Sequence, residues 1–293
     1  MKELASETVC LALGYFDSVH LGHRNLIDRA RTLAEKQGCE CAVATFSNNA
    51  YRQFNASEKQ VYTFDERCDI LDKLCDRILP MRFDVRLKNK PAREFLDALL
   101  AHYDIKAFVC GYDYLFGAGA KGDAELLSSY AREHGMECLV VPKFSLDGER
   151  VSTTAVKELL KKGMVEKANA FLGETFFATG RVIHGRGAGR MFDIPTANIK
   201  IRESKLLPAP GVYGTTCEID GKTYYGATNI GARPTFDLYR SVTETMLADF
   251  DGNLYDKQIK IYFHKFLRPT VKFETPALLS KQVHKDLRWY IND

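Results

Sequence analysis

Apolar and polar positions follow two rhythms along this chain, and the change of rhythm predicts two kinds of architecture. In the first part, short runs that are apolar throughout alternate with stretches that are apolar on one helical face. Residues 9–16 (VCLALGYF) form a continuous apolar run, as expected of a strand buried on both sides. Over residues 24–38, Leu26, Ile27, Ala30, Leu33 and Ala34 recur at helical spacing, and Gly38 suits the stop. Residues 39–46 read as the next strand, 65–77 as a helix and 78–83 as a short strand. A helix over 91–103 opens on Pro91, a residue suited to the first turn. A strand over 106–111, a helix over 122–135 and a strand over 136–142 complete the series. Such alternation predicts a parallel sheet with right-handed crossovers, a Rossmann-like α/β fold.

Near Gly173 the runs become short, β-rich and punctuated by glycine: 176–183, 211–219, 222–230, 242–250 and 258–266. Asp220-Gly221 between two apolar runs is a hairpin signal. Many short strands joined by tight turns predict a closed antiparallel barrel. In the tail, Leu279, Val283, Leu287 and Ile291 are spaced as one helical face that would pack on that barrel. The expected division is 1–174 and 175–293.

Composition narrows the class. The chain has 293 residues, a length that suits two domains, with 45% hydrophobic and 27% charged residues. A net charge of +3 argues for no nucleic-acid partner. No apolar run approaches the ~20 residues that a membrane span needs, and the first ten residues have no apolar signal-peptide core. The eight cysteines form no CxxC pair and sit mostly in apolar surroundings, as in a reduced, cytoplasmic protein. No obligate protein partner is indicated.

Candidate chemistry begins where the first strand meets the first helix. Residues 14–27 (GYFDSVHLGHRNLI) contain Gly14, Phe16 and Asp17, then His20, Gly22 and His23 in an HxGH arrangement. A strand-to-helix junction points backbone N–H groups and the positive helix end at an anion. Two imidazoles there can donate to phosphate oxygens and stabilise a pentacoordinate phosphorus without a covalent intermediate. Taken alone, one histidine would be a cap and the other a surface residue; the strand–HxGH–helix context favours phosphate chemistry. Later, residues 109–127 carry Asp113 and a glycine-rich loop, and Ser152, Thr153 and Thr154 open a helix with Lys157 one turn in. Hydroxyls and an amine there could hold ATP phosphates or could equally be plain N-capping.

In the second part, residues 184–190 (HGRGAGR) form a glycine-rich, arginine-bearing loop suited to close over phosphates, with His184, Gly185, Gly189 and Arg190. Residues 195–198 (PTAN) offer the Thr196 hydroxyl and the Asn198 amide, oxygen ligands that a hard Mg²⁺ accepts alongside ATP. Residues 229–236 (NIGARPTF) bring Asn229 and Arg233, and Glu244 follows in the next strand run. Singly, these could be hairpin turns, an ordinary loop and a solvated strand glutamate.

Their joint order resembles the prokaryotic bifunctional riboflavin kinase/FMN adenylyltransferase (FAD synthetase) family. Its first-domain pattern runs roughly GxFDGVHxGH, TFxPHP, GxDFxFG, SSTxxR, and its second HGxxxGRxxGxPTAN, PxxGVY, NIGxRPT and then a glutamate. The resemblance implies a nucleotidylyltransferase domain followed by a six-stranded antiparallel barrel with a terminal helix. It implies phosphorylation of riboflavin to FMN and adenylylation of FMN to FAD with release of pyrophosphate. Riboflavin, FMN and ATP are then the small-molecule partners, with flavins as substrates and products and Mg²⁺ accompanying ATP. By the same resemblance Thr196 and Asn198 bind Mg²⁺ and Glu244 is the base for the ribityl 5′-hydroxyl. The chain departs from the pattern at Ser18 for a glycine, at TFSNNA (45–50) for TFxPHP, at Leu115 for a polar residue and at Lys157 for an arginine. Asp193 stands in place of a glycine and Met246 in place of a common histidine. These departures motivate two alternatives: a riboflavin kinase with an inactive or altered first domain, and a non-catalytic flavin-binding regulator. The retained Thr196, Asn198 and Glu244 count against the second.

Overall fold

The computed structural model describes residues 8–184, 196–232 and 241–292, and the chain divides into two compact units, residues 1–153 and 154–293. In the first, chain order runs β1 (Thr8–Leu13), α1 (Leu21–Gln37), β2 (Glu40–Phe46), α2 (Phe64–Leu71), β3 (Arg77–Met81), α3 (Val85–Lys88), α4 (Ala92–Leu100), β4 (Asp104–Gly111), α5 (Ala124–Glu133) and β5 (Glu137–Val141). A small hairpin, β6 (Ser145–Leu146) and β7 (Glu149–Arg150), follows. The five long strands form one sheet in the order β3-β2-β1-β4-β5, and every pair is parallel. Val9, Cys10, Leu11 and Ala12 are wholly buried. This explains the unbroken apolar run: a central parallel strand has no wet face.

One boundary differs from the sequence pattern. The helix expected over 65–77 ends at Leu71. The Asp76 carboxylate accepts the Cys41 N–H at 2.8 Å and the Asp76 N–H donates to the Cys41 carbonyl at 2.9 Å. These two bonds fix the chain to the start of β2, so it must leave the helix before β3 begins.

The second unit opens with α6 (Thr153–Lys161), whose first residue falls at the division, and α7 (Val165–Leu172). The strands β8 (Phe177–Ile183), β9 (Thr196–Ile201), β10 (Gly211–Ile219), β11 (Lys222–Ala232), β12 (Ser241–Leu247) and β13 (Gln258–Arg268) follow, with α8 (Pro276–Asn292) at the end. They close a barrel in the order β10-β11-β12-β9-β8-β13, and each neighbouring pair is antiparallel. Five of the six strands coincide with the apolar runs; the sixth, β9, runs from Thr196 to Ile201 and takes in Thr196 and Asn198. The change of rhythm near Gly173 coincides with the left-handed C-cap of α7, where Gly173 has φ of 74°. Asn169 of α7 donates to the Phe263 carbonyl at 2.9 Å and accepts the Phe176 N–H at 2.8 Å, tying that helix to the barrel.

Alternation along the strands decides what the barrel encloses. Thr215, Thr228 and Thr245 are wholly buried and joined hydroxyl to hydroxyl at 2.8 Å each, so these three hydroxyls satisfy one another, while the Thr243 hydroxyl is buried without a hydrogen-bond partner among the described residues. Ile199, Ile230 and Thr243 share that interior face.

Helix α8 is present, but its buried stripe is rotated from the expected one. Leu287 is buried while Leu279 and Ile291 are exposed. Two contacts set the rotation. Gly214 leaves room for the Tyr290 ring, which an added Cβ would meet at 2.5 Å. The Asp286 carboxylate accepts both Nε and Nη2 of Arg268 at 2.9 and 2.7 Å, and the Gln282 amide at 2.7 Å. Replacing Asp286 with Ala leaves a largely buried guanidinium without its anion. We expect Asp286→Ala to lower the unfolding free energy of the second unit by about 2 kcal/mol, read from denaturant melts of the full chain. A midpoint unchanged from wild type is the contrary result.

Candidate active sites

In the first unit the chain winds to one side of β1 through β2 and β3, and to the other through β4 and β5. The order reverses between β1 and β4. Ligands of such sheets sit outside the carboxyl ends of the strands at that reversal. The segment 14–20 leaves the end of β1, and Asp113 follows the end of β4, so both sets of sequence-predicted residues lie at the reversal.

His20 is the N-cap of α1, with extended backbone, and its Nδ1 accepts the His23 N–H at 3.1 Å. A neutral imidazole that accepts at Nδ1 carries its proton on Nε2, which leaves one N–H to donate elsewhere. The His20 and His23 rings stack with centroids 3.7 Å apart and planes within 7°. Gly22 permits this: a Cβ there would lie 3.0 Å from His20 Cε1. The edge of Phe16 packs against His23 at 5.2 Å, and Phe16 lies over Gly14. Phe16 and Val19 hold positive φ, 54° and 42°, values that side chains of this bulk adopt only when their surroundings impose them. Asp17 supplies part of that constraint, for its carboxylate accepts the Val61 N–H at 2.9 Å and its carbonyl the Tyr62 N–H at 3.2 Å. Ser18 supplies another: its hydroxyl bonds the Thr153 hydroxyl at 3.0 Å, so the residue that replaces a family glycine ties the loop to the last residue of this unit.

Burial pushes the His20 pKa down to about 4, with Asp113 opposing and Arg150 assisting. His23 is pushed well below its ordinary value by burial, then by His20 and by Arg67. At neutral pH the site therefore presents two uncharged imidazoles. His23 Nδ1 is buried without a hydrogen-bond partner among the described residues. Asp113 pairs with Arg150 at 2.8 Å, both more than half exposed, so the pair contributes little to stability.

The other departures from the family pattern have structural uses. Asn48 accepts the Phe83 N–H and donates to the Phe83 carbonyl, both at 2.9 Å. Asn49 caps the short turn after it and donates to the Glu58 carbonyl at 3.0 Å. Leu115 is exposed, whereas Lys157 is buried on α6. Ser152 and Thr153 lie at the start of that helix and Thr154 in its first turn.

One residue at this end of the sheet escaped the sequence reading. Arg67, in the first turn of α2, is the largest wholly buried side chain of the described residues. It donates to the Phe46 carbonyl and stands 4.8 Å over the Tyr15 ring. A lone arginine in an amphipathic segment carries no pattern that would single it out; the available signal was an arginine on a helix expected to pack on a parallel sheet.

In the second unit, strand register assembles the candidate residues. Asn198 of β9 is directly opposite Glu244 of β12, and Glu244 is directly opposite Asn229 of β11. Thr196 lies two residues from Asn198 and opposite Met246. Directly opposed residues share a face, and residues two apart share it as well. Thr228 and Thr245 point inward, so Asn198, Glu244, Asn229 and Thr196 occupy the outer face of the barrel wall. All four are half-buried. The Thr270 hydroxyl donates to Asn229 Oδ1 at 3.2 Å. His184 stacks on Tyr255 with centroids 3.8 Å apart, at the base of the glycine-rich loop. Gly185, Gly189, Arg190, Asp193 and Arg233 lie outside the described residues. The donor set suits a hard cation: a hydroxyl and an amide oxygen two residues apart, with a carboxylate opposite. Among the described residues no group of three or more His, Cys, Asp or Glu gathers to hold a metal ion.

Comparison with known proteins agrees across the whole chain. The riboflavin kinase family model matches residues 172–291 and the FAD synthetase model residues 2–155. The bifunctional riboflavin kinase/FMN adenylyltransferase of Bacillus subtilis is 30% identical, covering 100% of this chain and 95% of that protein. Its namesake from Escherichia coli K12 is 32% identical over 98% of this chain and 93% of its own. A crystal structure described as a macrolide-efflux protein from Streptococcus pneumoniae superimposes with a TM-score of 0.88 at 25% identity, covering 100% of this chain and 97% of that one. Among the described residues no helix is long and apolar enough to cross a membrane.

The depressed His20 pKa has a consequence for acid stability. The folded value of about 4 lies below the ordinary 6.5. Its contribution is complete above pH 6.5, and it is lost as pH falls from there towards 4, because the unfolded chain takes the proton first. The loss is on the order of 3 kcal/mol. Melting midpoints of wild type and His20→Gln, compared between pH 7 and pH 4, should converge on acidification. Parallel curves would show that His20 titrates normally.

Proposed function

The chain belongs to the bifunctional riboflavin kinase/FMN adenylyltransferase family, and on that premise we propose that it makes FMN from riboflavin and ATP on the barrel and then converts FMN to FAD on the parallel-sheet unit. The observation that carries this reading is that both reaction centres are assembled in one chain: a stacked neutral histidine pair at a helix N-terminus, and a carboxylate level with two amides on the barrel wall.

On the barrel, the Glu244 carboxylate accepts the proton of the ribityl 5′-hydroxyl as that oxygen attacks the γ-phosphorus of ATP and ADP departs. The Thr196 hydroxyl and the Asn198 side-chain oxygen hold the Mg²⁺ that accompanies ATP, which supplies charge neutralisation on the phosphate oxygens. Asn229, kept in place by Thr270, borders the same row. His184, Gly185, Gly189, Arg190 and Arg233 contribute to phosphate binding.

On the first unit, the FMN phosphate attacks the α-phosphorus of a second ATP and pyrophosphate leaves. His20 and His23 donate N–H groups to the phosphoryl oxygens as charge builds there, and the N-terminus of α1 adds its own positive end. Because both imidazoles are neutral, they act as donors and carry no net charge to be neutralised. Gly14, Phe16, Asp17 and Gly22 shape the loop, while Asp113, Ser152 and Thr153 contribute to nucleotide binding. The altered Asn48–Asn49 segment is bound into the fold, which supports a weaker substrate contact over a lost reaction centre. FAD formation is therefore slower than FMN formation in this chain. The eight unpaired thiols support a reducing, cytoplasmic setting.

Incubation with riboflavin, ATP and Mg²⁺, with FMN and FAD separated by chromatography, tests the whole reading. Glu244→Gln is expected to lower kcat for FMN formation by about a hundredfold or more with riboflavin affinity little changed. His23→Ala is expected to lower FAD formation by roughly a hundredfold and to leave FMN formation intact. Wild-type FMN production by the glutamate variant would remove Glu244 from the role of base. Undiminished FAD production by the histidine variant would do the same for His23.

A further inference from the structure

Arg67 stands apart from every other cation in the first unit. Its side chain is 0% exposed, its Nε lacks a hydrogen-bond partner, and among the described residues no carboxylate pairs with it. A buried guanidinium is normally matched by an anion. Here the guanidinium is shared among groups that all lie at the carboxyl edge of the sheet. Nη2 donates to the carbonyl of Phe46, the last residue of β2. Nη1 lies 3.5 Å from the carbonyl of Tyr62, just before the N-cap of α2. The guanidinium carbon stands over the rings of Tyr15 and Phe64 at 4.8 and 5.9 Å. Tyr15 belongs to the segment that carries the histidines, and its hydroxyl is turned to Gln60 at 3.1 Å.

We infer that Arg67 is a positioning residue for adenylyl transfer, a single planar cation that clamps the end of β2, the entry to α2 and the Tyr15–His23 loop into one arrangement. This rests on the reading that the first unit transfers an adenylyl group. Two properties of arginine make the role specific. Its planar fork reaches two carbonyls while its face lies on an aromatic ring, which a lysine cannot do at once. Its charge is permanent and reaches His23, where it opposes protonation. The other charged or titratable groups acting on the pair are His20 beside His23 on α1, with Asp113 after β4 and Arg150 on β7 acting on His20. Of these, Arg67 alone is wholly buried. The loop it clamps is the one that holds Phe16 and Val19 at positive φ, an arrangement that needs support from outside itself.

Two variants of the full chain separate position from charge. Arg67→Met removes both the fork and the charge; Arg67→Lys keeps the charge and loses the fork. FAD formation is measured from FMN and ATP, with FMN formation from riboflavin as the gauge of intact protein. His23 is titrated by NMR in the absence of substrates. In Arg67→Met we expect kcat for FAD formation to fall about tenfold or more, the scale of one misplaced donor, with KM for ATP changed less, and His23 to take its proton at higher pH. In Arg67→Lys we expect kcat to fall several-fold while the His23 titration stays as in wild type. An unmoved His23 titration in Arg67→Met, or wild-type kcat in either variant, overturns the inference. If Arg67→Met does not fold, the Arg67→Lys result decides alone: reduced kcat at an unchanged melting midpoint upholds the clamp, and wild-type kcat or a loss matched by a falling midpoint refutes it. Absence of FAD formation in the wild-type chain would instead remove the premise.

Discussion

A single hydrogen bond organises the first unit: the N–H of His23 given to Nδ1 of His20 at 3.1 Å. It satisfies one of the orphan donors at the start of α1, so it is a folding interaction. It also dictates which nitrogen of His20 keeps a proton and brings the two rings into face-to-face contact. Remove it and the helix start loses its cap, the stack loses its alignment and the remaining N–H loses its direction. The unusual loop backbone, the glycine one residue before His23 and the strained Phe16 and Val19 are conditions for that bond to form where the sheet order reverses.

The second unit solves a similar problem by different means. On its barrel wall, register takes the place of a helix start. Pairing of β9 with β12, and of β12 with β11, sets Asn198, Glu244 and Asn229 in a row across three strands. The hydroxyl chain of Thr215, Thr228 and Thr245 on the inner side satisfies its own polar atoms, while Asn198, Glu244 and Asn229 lie on the outer side. In one unit a local cap and in the other a long-range pairing bring the candidate polar groups together.

Much of this was legible in the residues because period is a local property. The unbroken run of β1 and the one-sided spacing of α1 located the strand–helix junction, and with it His20 and His23. What could not be read depends on contacts between segments far apart in the chain. The early end of α2 follows from Asp76 binding Cys41, and nothing near Leu71 announces it. The strand start over Thr196–Asn198 follows from its partners, since a stretch containing an alanine and an asparagine has little β preference of its own. The turned face of α8 follows from the gap at Gly214 and the anion at Asp286, neither of which alters the spacing of leucines. Arg67 was invisible for the same reason: its meaning lies in Phe46 and Tyr15, 21 and 52 positions away by subtraction of residue numbers.

The row on the barrel wall also constrains how lineages of this chain can diverge. Side chains alternate between the two faces of a strand, so deletion or insertion of one residue within β9 would turn Thr196 and Asn198 inward and present Ala197 and Ile199 in their place. No single substitution repairs such a shift, because every neighbour moves with it. The connection from 202 to 210 is held in its own way: Lys205 is buried with its Nζ donating to the Phe177 carbonyl at 2.6 Å, and the Ala209 N–H donates to the Leu160 carbonyl at 2.9 Å. Evolution at the row is thus confined to exchange of one side chain at a time, as at Met246.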